Sequence, residues 1–157
     1  MEHGGAHALQ GSELNRLGVS ATNHCLTGCV IGEVTGMFIA TALGWGDVAS
    51  VALAVGLAFV FGFSLTARPL VKAGLAAGTV ISTALAVDTL SITIMEVIDN
   101  VFVVLVPGAL DAGVDDPLIY GSIAGGFIIA YPFAFLANRY LISRGKGHAL
   151  VHEYHGH

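Results

Sequence analysis

Four long apolar runs dominate the chain, Cys25–Trp45, Val48–Thr66, Ala73–Val106 and Leu118–Ala137, the last extending as a helix to about residue 142. Each has at least the roughly 18 to 20 residues that a helix needs to cross about 30 Å of hydrocarbon. The pattern predicts an all-α integral membrane four-helix bundle, a single transmembrane domain over 1–157 with spans at about 25–45, 48–66, 73–106 and 118–142. Short polar tails flank it. The third run is overlong, about 51 Å as one helix, so it must tilt, break or project. Gly28, Gly32 and Gly36, followed by Ala40 and Gly44, recur at every fourth residue, and Gly74, Gly78, Ser82 and Ala86 form a similar stripe on the third span. Such stripes let membrane helices approach closely, where no hydrophobic force drives them together. Pro132 predicts a kink in the fourth span.

Composition agrees with the pattern. Of 157 residues, 55% are hydrophobic and only 11% charged, too few charges to clothe a soluble domain. Six Lys and Arg against eleven Asp and Glu exclude a nucleic-acid-binding module, and two Cys exclude a disulfide scaffold. Residues Met1–Ser20 lack the apolar core of a secretory signal, so the N-terminus is expected to be retained. With four spans, Arg16, Arg68, Lys72, Arg139, Arg144 and Lys146 all fall at one side. Basic residues near span ends mark the cytoplasmic side, which places both termini there, in a cell inner or plasma membrane. Asp47 and the acidic loop Pro107–Pro117 lie outside.

Candidate chemistry sits within the spans. Glu33, Asp88, Glu96 and Asp99 lie in apolar runs that contain no Lys or Arg. Uncompensated carboxylates in hydrocarbon cost at least a few kcal/mol each, so protons, hydrogen bonds, water or a cation must compensate them. Asp99 and Glu96 also fit a solvated outer helix end. The span midpoints, near residues 35 and 89 to 90, put Glu33 and Asp88 at one depth, where they would face each other, with Thr89 and Ser91 nearby.

Cys25, Cys29, Glu33 and Met37 follow one another at i, i+4 on the first span, and Asp88, Met95 and Asp99 share a face of the third, flanked by Ser91 and Glu96. One seam would then contain Cys25, Cys29, Glu33, Met37, Asp88, Met95 and Glu96. Thiolate, thioether and carboxylate are metal ligands, and soft sulfur favours copper(I), with zinc or iron(II) as alternatives. Cysteine packing as a small apolar residue beside glycine accounts for the same spacing. His24, at the cytoplasmic mouth, extends the candidate ligand set, as do His148, His152 and His155, which align if helical. His3 and His7 lie on the same side. A flexible polar tail is the competing reading of the terminal histidines.

The motif His24-Cys25-x-x-Gly28-Cys29-x-x-Gly32-Glu33, with Asp88-Thr89-x-Ser91-Ile92-x-x-Met95-Glu96 and the terminal His-x-x-x-His-x-x-His, resembles a bacterial family of small four-helix membrane proteins defined as a domain of unknown function. The resemblance runs from about His24 to His155 and implies metal- or copper-associated company without an activity.

The residues thus lead to a non-enzymatic membrane protein that binds a transition-metal ion, copper favoured, along the seam, with static binding and transport along it both open. No nucleotide fingerprint or Ser/His/Asp set is present. Rival readings are a proton-coupled small-molecule exporter and a non-catalytic accessory subunit of a larger membrane complex. Beyond the lipid bilayer, the expected partners are further copies in a homodimer or higher oligomer, or another subunit of such a complex. Cysteine labelling should find Gly44 and Gly113 outside and Lys72 inside. An external Lys72 would overturn the orientation.

Overall fold

The computed structural model of the chain describes residues 11–72 and 74–144. Four helices follow in order, α1 (Gly11–Ala42), α2 (Asp47–Lys72), α3 (Ala77–Leu105) and α4 (Pro117–Ser143). Among the described residues there is no strand. All four helices are long and apolar enough to cross a membrane. Their outward faces carry large apolar side chains such as Val48, Val60, Ile81, Val104, Ile128 and Leu136, as lipid contact requires.

The elements end where local chemistry stops them. After α1, Gly44 adopts a φ of 68°. There the Trp45 N–H donates to the Ala40 carbonyl at 2.9 Å and the Gly44 N–H to Thr41 at 3.1 Å. This paired closure satisfies carbonyls that the helix end leaves open, in a left-handed conformation suited to glycine. At the start of α4, Asp116 accepts from the Leu118 N–H at 2.9 Å. Pro117 follows at the first helical position, where no N–H is needed.

Two boundaries differ from the hydrophobic pattern. The third run is one helix, and it starts at Ala77 because Gly74, with φ 80°, belongs to the preceding turn. The first helix starts at Gly11, fourteen residues before the apolar run. Leu14, Leu17, Gly18, Ala21, Thr22 and Cys25 are buried at i, i+3, i+4 spacing along it, while Asn15, Arg16, Asn23 and His24 face outward. Amphipathic turns of this kind are helical by period but fall short of a uniformly apolar span.

The chain folds up and down, each helix beside the next and α4 returning to α1. The α1 glycines set the closest approach. A Cβ on Gly28 would meet the Gly62 backbone, one on Gly32 the Ala58 backbone and one on Gly36 the Ala54 backbone. Against α4, α1 is held by polar contacts instead. The Tyr131 hydroxyl donates to Asn23 at 2.7 Å, Asn138 to Thr22 at 3.1 Å and Arg139 to Asn15 at 2.8 Å. In the bilayer, backbone proximity and such bonds replace the hydrophobic force that assembles soluble bundles.

The glycine stripe expected on the third span does not act this way. Gly74 lies in the turn, a Cβ on Gly78 would meet nothing, and Ser82 and Ala86 are exposed. α4 runs on through Pro132, whose ring denies the Ile128 carbonyl its helical donor.

Gly32→Val should therefore destabilise the protein by about 1 to 3 kcal/mol through overpacking, whereas Gly78→Ala should stay within about 0.5 kcal/mol of wild type. Unfolding in mixed micelles measures both, and equal effects would contradict the α1–α2 backbone contact.

Candidate functional site

The interior of this apolar bundle is polar along one seam. On α3, Asp88, Ser91, Met95, Glu96 and Asp99 are all 3% exposed or less, and on α1 Cys25, Cys29 and Glu33 are 5% or less. The spacings 88, 91, 95, 99 and 25, 29, 33 put each set on one helical face. Because α1 and α3 run parallel across the bundle, the two faces meet level by level.

At the lower level, towards the chain termini, the Cys25 Sγ lies 2.6 Å from the Ser91 Oγ and 4.0 Å from the Asp88 Oδ1. One turn up, the Cys29 thiol faces Glu96. At the upper level, Glu33 faces the Asp99 carboxyl and also lies near Glu96. Asn100 orients Glu96, donating to its Oε2 at 3.5 Å while holding its backbone carbonyl at 2.8 Å. On α4, Gly126 makes room, since a Cβ there would collide with Asp99.

The hydrogen bonding is incomplete. Glu33 Oε2, Asp88 Oδ2, Glu96 Oε1 and both Asp99 oxygens are buried with no hydrogen-bond partner. A buried charged oxygen left this way costs more than the roughly 1 to 3 kcal/mol of a neutral orphan. No Lys or Arg occurs between residues 17 and 67 or between 73 and 138. What satisfies these oxygens must therefore come from outside the side-chain inventory, as protons, water or a cation.

A route to the cluster exists. A cavity of about 220 Å³ runs from the loop end of the bundle down to Glu33. Trp45 and Asp47 line it near the mouth, with Thr41, Ser50 and Asn100 adding polar groups. Its two ionisable residues, Glu33 and Asp47, are both acids. Its walls attract cations and repel anions.

The structure revises the expected site in three respects. Glu33 and Asp88 do not face each other. Asp88 stands level with Cys25, and Glu33 with Asp99, eleven residues or about 16 Å further along α3. The expected pairing rested on a first span centred near residue 35, but α1 spans Gly11–Ala42 and is centred near Thr27. His24 lies on the exposed face, its Nδ1 3.2 Å from the Ser20 carbonyl, because the residue before Cys25 points about 100° away from the seam. The end from which the cavity opens is opposite to the end expected to capture the ion.

Met37 lies in the cavity wall and Met95 in the core. His148, His152 and His155, like His3 and His7, lie outside the described residues. Among the described residues, no three His, Cys, Asp or Glu side chains are arranged to hold a metal ion as they stand. Two participants, Thr66 and Asn100, went unselected by sequence, and Asp99, named among the four buried acids, was left out of the expected seam. Asp99 shares the Asp88 face but was equally compatible with a solvated helix end. Thr66 and Asn100 carry no signal of their own, since their place depends on the register of α2 and α3.

The family described as a domain of unknown function, DUF4396, matches residues 15–147. The chain belongs to that family. The match includes every residue of the seam and stops short of His148. Neither a curated protein nor a solved structure matches the chain.

Asp99→Asn places a fixed amide donor beside Glu33 at a position that can no longer ionise. It should stabilise the ion-free protein by about 1 kcal/mol, read as a raised thermal midpoint in detergent with a chelator. A lowered midpoint would mean that the carboxylate is already satisfied.

Proposed function

We propose that this protein binds a transition-metal cation in the membrane and passes it along the α1–α3 seam, releasing protons as the metal binds. The carrying observation is the set of buried, unpartnered oxygens on Glu33, Glu96 and Asp99, of which Glu33 closes the foot of a cavity that also holds Asp47. Cation binding deprotonates its ligands, so metal and protons exchange at such a site. Cys29 and Met95 add sulfur beside the carboxyls, which favours copper, with zinc or iron(II) as alternatives. Small adjustments of the Glu33 and Glu96 side chains would turn the facing groups into a ligand set. The seam continues through Cys25 towards the chain termini.

The volume of the cavity at Glu33 supports an ion there over an organic molecule; the larger groove of about 640 Å³ beside Leu26, Phe127 and Tyr131 lies away from the acids and is almost wholly apolar. Drug-sized ligands occupy roughly 300 to 1,000 Å³, whereas about 220 Å³ holds about seven waters at roughly 30 Å³ each. A hydrated ion fits this space. The positions of the basic residues favour a termini end in the cytoplasm of a cell inner or plasma membrane, with the cavity then opening outward. Four helices enclose little volume, and assembly into a homo-oligomer or with a membrane-complex partner is part of this reading.

Metal analysis of purified, tag-free protein tests it. Cys29→Ser should lower the bound metal several-fold. Glu33→Gln should retain thiol-bound metal yet reduce flux into proteoliposomes at least tenfold. Equal metal in wild type and Cys29→Ser, or none in either after metal-supplemented expression, would leave the seam as packing and favour an accessory subunit. Saturable transport of an organic cation with no metal flux would instead favour the exporter.

A further inference from the structure

A second group of unpartnered oxygens lies apart from the acid cluster, at the Cys25 level. Asp88 is 1% exposed and Thr66, reaching it from α2, is 2% exposed. The Asp88 Oδ1 has the Cys25 thiol as donor, while its Oδ2 and the Thr66 Oγ1 face each other between α3 and α2 without closing a hydrogen bond of ordinary geometry. The behaviour of Thr66 is distinctive for a helical hydroxyl. Thr22, Thr27, Ser64, Thr93 and Ser122 each donate to the carbonyl four residues earlier, the ordinary resting bond of such side chains. Thr66 forgoes it and turns towards Asp88. Ser91 does likewise, its Oγ held against Cys25 at 2.6 Å.

We infer that Asp88, Thr66 and Ser91 form a binding site for a small monovalent cation, sodium, separate from the metal-handling cluster. The donors decide the ligand class. They are hard oxygens from one carboxylate and two neutral hydroxyls, each hydroxyl having lone pairs to spare. A single negative charge neutralises a monovalent ion, whereas a divalent ion would keep an excess charge inside hydrocarbon. Oxygen ligands suit a hard cation, and the neighbouring Cys25 keeps its proton in donating to Asp88, so it offers a soft metal no thiolate. With Asp88, Thr66 and Ser91 each 2% exposed or less, the ion sheds most of its water, and such a cage suits a small ion. Sodium would bridge the Asp88 Oδ2 and the Thr66 Oγ1, joining α2 to α3 where no hydrogen bond of ordinary geometry does so. The site is complete without metal at Glu33, so sodium binding is read with metal absent, although Cys25, through which the seam continues, touches both Asp88 and Ser91.

Equilibrium binding of radioactive sodium to the purified full chain in detergent, with choline balancing ionic strength, tests the assignment. Wild type should bind sodium saturably, near one ion per chain, and a tenfold excess of potassium should displace little of it. Asp88→Asn and Thr66→Val should each weaken binding at least tenfold. Ser64→Ala, which removes an exposed hydroxyl from the same helix, should bind as wild type does. Thr66→Val keeps side-chain volume and decides the matter if Asp88→Asn fails to fold. Absence of saturable sodium binding in wild type, wild-type affinity in Thr66→Val, or displacement by potassium as strong as by sodium would each overturn the site.

Discussion

Charge in hydrocarbon demands compensation, and in this bundle none comes from basic side chains. Arg16, Arg68, Lys72, Arg139 and Arg144 lie near the terminal ends of α1, α2 and α4, while Glu33, Glu96 and Asp99 are buried far along α1 and α3. An Asp or Glu paired with Arg would be a static structural element. Carboxyls without such partners keep their oxygens available for an exchangeable species, whether proton, water or metal ion. The rest of the molecule is arranged around that availability.

The glycines of α1 illustrate the arrangement. Gly28, Gly32 and Gly36 occupy the face towards α2, and Cys25, Cys29 and Glu33 occupy the adjoining face towards α3. Close backbone approach on one side brings the helix deep enough into the bundle for its polar face to reach α3 across the diagonal. Gly126 performs the corresponding task on α4, allowing Asp99 to lie against the helix backbone. At the terminal end, the bonds from Asn138, Tyr131 and Arg139 to α1 fix the register. At the loop end, the cavity reaches Glu33. The bundle is thus tied at one end and hollowed by a cavity at the other.

Helix number, the glycine stripe of α1 and the polar faces of α1 and α3 were legible in the sequence, because each is a periodicity of 3.6 or 4 residues within one element. Relative depth was not. It depended on where α1 begins, and the amphipathic residues 11–24 are helical without being apolar. That one boundary moved the centre of α1 by about eight residues, two turns, and changed the partner of Glu33 from Asp88 to Asp99. Thr66 and Asn100 were hidden for a related reason: a lone hydroxyl or amide becomes informative only once neighbouring helices set what it faces. The outward-facing stripe of Gly78, Ser82 and Ala86 shows the converse, since small residues permit close approach without supplying a neighbour.

Anomalous X-ray diffraction from crystals of the metal-loaded protein, recorded at the absorption edge of the bound metal, tests the central claim most directly. A peak enclosed by Glu33, Glu96 and Asp99 with Cys29 at its edge is expected, giving way in the Glu33→Gln variant to a weaker peak at the Cys29 thiol. A peak confined to the histidines, or seam carboxyls that remain metal-free at saturating metal, would contradict it.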